Sequence, residues 1–268
     1  MKLAIVGRGR LGGGLATALR AAGEREVHLV RGRGPDRAVL RRSATVLLAV
    51  PDPAVPGVAA SLAAHVRPGQ AFLHASGSLP PSALDVCAEA GAATGACHPL
   101  ASFADPSRPP TLAGVTFVLA GAPEAVTAGR RIAFALGARV IARPVHGPAY
   151  HAAAALCANG AAALTAVAAR VLSAGRSVEA RSAERAMGAL LRTVGENVER
   201  LGFPQALSGP VVRGDDGTVR GHRTALSDVD RDALDAYDAV APAILDLARR
   251  AGLPPDRIAA IRAALDED

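Results

Sequence analysis

Ile5-Val6-Gly7-Arg8-Gly9-Arg10-Leu11-Gly12-Gly13-Gly14 follows Leu3-Ala4 and runs on into Leu15-Ala16-Thr17-Ala18-Leu19-Arg20. A short apolar run that meets G-x-G-x-x-G and then takes on helical periodicity predicts a strand, a tight turn and a helix. In such a unit Gly7 permits the turn, Gly9 lets a pyrophosphate approach the backbone, and Gly12 lets the helix pack close to the strand. The helix N-terminus adds unpaired N–H groups and the positive end of its dipole. Arg10 and Leu11 share this loop and are assigned to the cofactor with the glycines. A second strand, Glu26 to Arg31, follows at βαβ distance, so the stretch predicts a Rossmann-type dinucleotide site.

At the end of that second strand a dinucleotide site that prefers NAD carries an acid for the ribose. Here the chain reads Val30-Arg31-Gly32-Arg33-Gly34 instead. A missing carboxylate with two arginines suits a 2′-phosphate, so Arg31 and Arg33 favour NADP (as NADPH) over NAD. Further strands are expected at Ala44 to Val50, Ala71 to His74, Ala93 to Cys97, Val115 to Ala120 and Arg139 to Ala142. The third ends in Val50-Pro51-Asp52-Pro53, the fourth in His74-Ala75-Ser76-Gly77-Ser78, and the fifth leads into His98-Pro99-Leu100. Four successive strand ends thus carry Gly, Pro, Ser, Asp or His, which is the asymmetry expected of the ligand-binding edge of a doubly wound sheet. Val50, Pro51 and Ser76 are accordingly assigned to the cofactor.

With 268 residues, 50% of them hydrophobic and 20% charged, the chain can bury one large or two modest cores. No apolar run is expected to reach the length of a membrane span and Lys2 leads directly into a strand, which predicts a soluble cytoplasmic protein with no membrane partner. Cys87, Cys97 and Cys157 are odd in number, lack C-x-x-C spacing and sit among small apolar neighbours, so buried thiols are expected and no metal site. A net charge of +6 raises nucleic acid as a partner, but the arginines are scattered among acids and only 3% of residues are aromatic, which argues against it. Lys2 is the only lysine and opens the first strand, on the edge away from ligands, so a catalytic lysine is excluded.

From Val145 onward the periodicity is helical, with helices expected at Ala149 to Ala174, Val178 to Leu201, Asp228 to Ala251 and Pro254 to Leu265. The glycine-rich stretch Ser208 to Gly217 interrupts them. The expected fold is α/β: a Rossmann-type, doubly wound, mostly parallel sheet over residues 1–144, followed by an all-α domain over 145–268. The first long helix is packed with alanine. His151 and Asn159 stand two turns apart on it and within about 80° around an ideal α-helix axis, so both can face one cleft.

The segments G-R-G-R-L-G (Gly7 to Gly12), L-L-A-V-P-D (Leu47 to Asp52), H-A-S-G-S (His74 to Ser78), H-P-L-A-S-F (His98 to Phe103), Y-H-A-A-A (Tyr150 to Ala154) and S-G-P-V-V-R-G-D (Ser208 to Asp215) resemble a known family. They are similar to Rossmann-like oxidoreductases with a C-terminal domain of unknown function. These are relatives of pyrroline-5-carboxylate reductase, prephenate dehydrogenase and ketopantoate reductase, with a helical C-terminal domain like that of 6-phosphogluconate dehydrogenase. The resemblance implies an NAD(P)-dependent reductase, a homodimer through the helical domain, and a small substrate held between the domains. Ordinary ketopantoate reductases and β-hydroxyacid dehydrogenases use a lysine in the region where this chain has His151.

Together these features suggest reduction of a C=O or C=N bond in a small carboxylate-bearing substrate, such as a 2-oxo acid, with NADPH. His151 is then the expected general acid. Asn159 and Ser76 hydrogen-bond the reacting atom, His98 lines the substrate pocket, and Arg213 pairs with a carboxylate. The competing expectation is a non-catalytic protein that binds or senses the nucleotide.

Overall fold

The computed structural model describes residues 1–174 and 178–267. It divides into two compact units, Met1–Ala155 and Leu156–Asp268. The expected division after residue 144 therefore moves to Ala155/Leu156, because the first turns of the alanine-rich helix associate with the sheet unit.

The first unit is built on one seven-stranded sheet in the order β2-β1-β3-β4-β5-β6-β7. Its strands are β1 (Leu3–Val6), β2 (Val27–Val30), β3 (Thr45–Leu48), β4 (Ala71–His74), β5 (Ala93–Pro99), β6 (Thr116–Gly121) and β7 (Arg139–Ala142). The first five are parallel. β6 pairs antiparallel with β5, and β7 follows β6 in parallel. The chain steps from β1 out to β2 and then back across β1 to β3, so the switch of direction falls between β1 and β3, where such sheets open a ligand crevice.

Alternation along the strands sorts the core into two layers. Leu3 and Ile5 of β1, Leu47 of β3 and Leu73 of β4 face one side, against Leu15, Ala16 and Leu19 of α1 (Arg10–Ala21). The same layer takes Ala125, Ala128, Ile132 and Ala133 of the helix between β6 and β7. Ala4, Val6, Val46, Leu48 and Phe72 face the other side. There they meet Leu40 of α2 (Arg37–Arg42), Val55, Ala59 and Leu62 of α3 (Val55–Ala63), and Cys87 of α4 (Asp85–Glu89). Asp36 caps α2 by accepting the Ala38 and Val39 N–H groups. The helix between β6 and β7 is α5 (Pro123–Ala135), and α6 (Pro148–Ala155) follows β7.

The second unit is helical: α7 (Ala161–Ala174), α8 (Ala180–Leu201), α9 (Pro210–Arg213), α10 (Asp216–Val229), α11 (Arg231–Arg250) and α12 (Pro255–Asp266). Val211, Val219, Leu245, Ala248, Ile261 and Ala264 form a core where α9 to α12 meet. Two differences from expectation stand here. Helix α10 occupies residues left between the glycine-rich stretch and Asp228; Asp215 nucleates it, its carboxylate accepting the Thr218 N–H at 3.0 Å. A π-turn, Leu156–Gly160, breaks the α-helical count between His151 and Asn159, so the 3.6-residue argument for their shared face does not hold.

Two further expectations are corrected. Among the described residues, Pro148–Ala174 is long and apolar enough, by length and composition, to cross a membrane. Alanine carries that apolarity, and almost none of the helix is buried. Cys87 and Cys97 are buried thiols, but Cys157 lies exposed on the π-turn. Burial pushes the Cys87 thiol up to about 11 and the Cys97 thiol up to about 12, which makes both inert.

Candidate functional site

The site lies at the carboxyl ends of β1 to β5. The Gly7 N–H donates to Val30 O and the Ala49 N–H to Val6 O, continuing the ladder on both sides of β1 to its last residue. Gly7 then turns at φ +122°, a conformation L side chains rarely adopt, and a Cβ there would stand 2.2 Å from Ala49 O. A Cβ on Gly12 would meet Gly7 O at 2.1 Å. Both glycines are therefore demanded by the fold. Gly9 differs: a Cβ there would meet nothing within 4 Å. The space beside it is an open cradle.

That cradle fits a dinucleotide pyrophosphate. Gly9 is the N-cap of α1, no side chain caps the helix, and its first turn carries no acid, so its leading N–H groups have no side-chain partner and suit an anion. Val50 links the loop to the turn after β2, since its Cγ1 lies 3.2 Å from where a Cβ on either Gly7 or Gly32 would be. Arg31 and Arg33 flank Gly32, and both are exposed, as are Arg8 and Arg10. Among the described residues, none of these four arginines makes an ion pair or a hydrogen bond through its side chain.

The expected residues Gly7, Gly9, Arg10, Leu11, Gly12, Arg31, Arg33, Val50 and Pro51 thus share one edge of the sheet unit. The loop after β5 closes over the same helix. A Cβ on Gly13 would lie 2.8 Å from Pro106, one on Gly14 would lie 2.6 Å from Phe103, and the Thr17 hydroxyl donates to Pro106 O at 3.0 Å.

Ser76 is corrected as a substrate contact. Its oxygen accepts the Ser78 and Leu79 N–H groups, each at 3.1 Å. Ser78 donates its own proton to Asp52, so the remaining Ser76 proton is directed at Ser78 Oγ, 3.3 Å away. With donor and acceptor capacity both engaged, Ser76 holds the β4 turn rather than a ligand. The Ser78–Asp52 bond also ties the end of β4 to the end of β3.

Beside that turn stands a histidine cluster. His74 is fully buried; its Nε2 donates to Pro80 O at 3.1 Å, and its Nδ1 is buried without a partner. Burial holds His74 below the usual histidine range. The His98 ring is seated on Gly77, where a Cβ would be 2.8 Å from its Cε1, and its Nδ1 lies 2.7 Å from the Tyr150 hydroxyl. His151 stands on the next residue, its ring centroid 6.5 Å from that of His98. Burial first, then the positive charge of His151, pulls His98 down to about 4, while burial pushes the Tyr150 phenol up to about 12. At neutral pH both His98 and Tyr150 are therefore uncharged.

These shifts have a measurable consequence. His98 and His74 bind protons less readily folded than unfolded, so the unfolded chain takes up protons as pH falls below 6.5. Stability should be full above pH 6.5 and decline as pH falls toward 4. Urea midpoints at pH 7 and pH 4.5 should differ more for the parent than for His98→Gln; equal differences would refute the assignment.

Among the residues first singled out, His98 and His151 come together with the glycine edge in one unit, on β5 and α6. Asn159 and Arg213 belong to the helical unit, each exposed, on the π-turn and on α9. Tyr150, Gly77, Asp52 and Ser78 were not singled out. Asp52, Gly77 and Ser78 lay in the strand-end loops already marked by their composition, and Tyr150 is one of two tyrosines and sits beside His151.

Comparison with known proteins agrees with this architecture. Residues 1–99 match the Rossmann-like domain and residues 115–244 match the domain of unknown function DUF2520. The protein is thus a Rossmann-like chain carrying a DUF2520 domain. No curated protein matched by sequence. Among solved structures, a Bacteroides fragilis protein provisionally described as an NADP oxidoreductase aligns over 91% of this chain and 97% of its own, with 20% identity and a TM-score of 0.67. An imine reductase of Streptomyces aurantiacus aligns over 100% of both chains, with 16% identity and a TM-score of 0.57. A reductive aminase of Aspergillus terreus aligns over 98% of both, with 16% identity and a TM-score of 0.53. At these identities the likeness is one of fold.

Proposed function

We infer that the protein is an NADP-dependent oxidoreductase that reduces a C=O or C=N bond of a small carboxylate-bearing substrate. The observation that carries this reading is the open cradle at Gly9, flanked by unpaired arginines and set on the same edge as His98, Tyr150 and His151. When bound, NADPH supplies the hydride.

The chain's own part is to bind, orient and protonate. Free N–H groups at the start of α1 hold the pyrophosphate, and Arg31 and Arg33 pair with the 2′-phosphate. His151 delivers the proton, since histidine is the side chain suited to general acid work near neutral pH and His151, being exposed, is resupplied from solvent. His98, held neutral, is a poor proton source and serves as a binding group. Asn159 and Arg213 keep the roles their chemistry suggests, an amide to hydrogen-bond the reacting atom and a guanidinium fork for the substrate carboxylate. The family resemblance suggests a homodimer through the helical domain. Exposed apolar side chains on the helical unit, Leu190, Leu191 and Val194 of α8 among them, support a second copy as the partner.

Thermal shift with NADPH, NADP, NADH and NAD, followed by a screen of 2-oxo acids and cyclic imines with the best binder, tests this reading. NADPH should stabilise most and at least one substrate should be reduced. Preferential stabilisation by NADH would overturn the role of Arg31 and Arg33. NADPH binding without any turnover would favour the alternative, a protein that senses the nucleotide.

A further inference from the structure

The contact between Tyr150 and His98 joins residues 52 positions apart and involves a ring already held in place by Gly77. A phenol and an imidazole can share one hydrogen bond in either direction. The imidazole nitrogen is much the stronger base and the phenol the stronger acid, so the favoured arrangement has Tyr150 Oη–H donating to His98 Nδ1. This choice also satisfies the phenol proton, for which no other acceptor is present among the described residues. With Nδ1 accepting, the proton of the neutral ring must sit on Nε2. That atom has no hydrogen-bond partner among the described residues, yet it is not one of the buried unsatisfied atoms, so it remains open to a ligand.

We propose that Tyr150 is a positioning residue that locks His98 in its Nε2–H tautomer, making His98 a hydrogen-bond donor to a carbonyl or carboxylate oxygen of the substrate. The ring's seat on Gly77 fixes where the donor points, and the bond from Tyr150 fixes that it is a donor. A substrate group that can only donate, such as an ammonium, would find no acceptor on His98, so the pair selects for groups that carry an oxygen lone pair at this point. The substrate half of this proposal rests on the reductase reading; the tautomer half does not.

The test is ¹⁵N NMR of the histidine side chains at pH 7, with His98 assigned by comparison with His98→Gln. In the parent, His98 should show a protonated Nε2 and a bare Nδ1. In Tyr150→Phe, with the acceptor bond gone, it should show a mixture of the two tautomers. A bare Nε2 in the parent, or an unchanged tautomer in Tyr150→Phe, would overturn the proposal, and the first of these does not depend on the Tyr150 variant folding. With NADPH and pyruvate as probe, Tyr150→Phe should raise the KM for pyruvate about tenfold, the size of one hydrogen bond to a ligand, with the KM for NADPH unchanged. An equal rise in both KM values would show a merely structural role. If the parent reduces neither pyruvate nor any other carbonyl while the tautomer result stands, the reductase reading has failed and the locked histidine remains.

Discussion

Gly7→Ala should fail to give a stable protein, whereas Gly9→Ala, two residues away, should fold normally and lose its response to NADPH. At Gly7 the added methyl would sit 2.2 Å from Ala49 O, at φ +122°, between two hydrogen-bonded strands that cannot part without breaking the ladder at the switch point. Clash and backbone strain together place the cost at about 3 kcal/mol or more, a large share of the stability of an ordinary domain. At Gly9 the methyl meets nothing within 4 Å, so the Tm should stay within about 2 °C of the parent. It would, however, fill the space through which a pyrophosphate reaches the start of α1. Thermal melts with and without NADPH separate the two sites. A Gly9→Ala variant that keeps the full NADPH-induced shift would show that the cofactor does not use this face.

The second large effect is expected at His151. Replacement by glutamine should lower kcat by about 10²-fold or more, the usual scale of general acid catalysis, while leaving NADPH affinity unchanged. His151 is exposed, so the substitution should not disturb folding. Its loss also removes a neighbouring imidazole whose charge opposes protonation of His98, which should titrate at a higher pH in the variant than in the parent. A variant that keeps parental kcat would move the proton source elsewhere. A pH titration followed on His98 by NMR reads the electrostatic half of the prediction without any substrate.

Much of the sheet unit was legible because its information is local. A strand followed by G-x-G-x-x-G states its own conformation, and the absence of a carboxylate after β2 is visible without neighbours. The loops after β3, β4 and β5 announced themselves through Pro, Ser, Gly and His at strand ends. What was not legible depends on pairing across long separations. Nothing in Thr116–Gly121 states that it runs against β5, since a strand buried on both faces reads alike in either direction. The Tyr150 contact with His98 exists only once β5 and α6 are placed, and Ser76 looked available until its two N–H partners and Ser78 were seen to occupy it. The π-turn escaped because a run of alanines carries no mark of where a helix widens.

The three glycines at the head of α1 make one further point. Gly12 abuts Gly7 O, Gly13 abuts Pro106 and Gly14 abuts Phe103, so most of one turn of the helix has backbone where other helices have side chains. That turn is gripped on one flank by the phosphate loop and on the other by the segment leading away from His98. The spacing between that loop and the segment after β5 is thereby set at three residues without side chains: a methyl on any of them would have to push one of the two away from the helix.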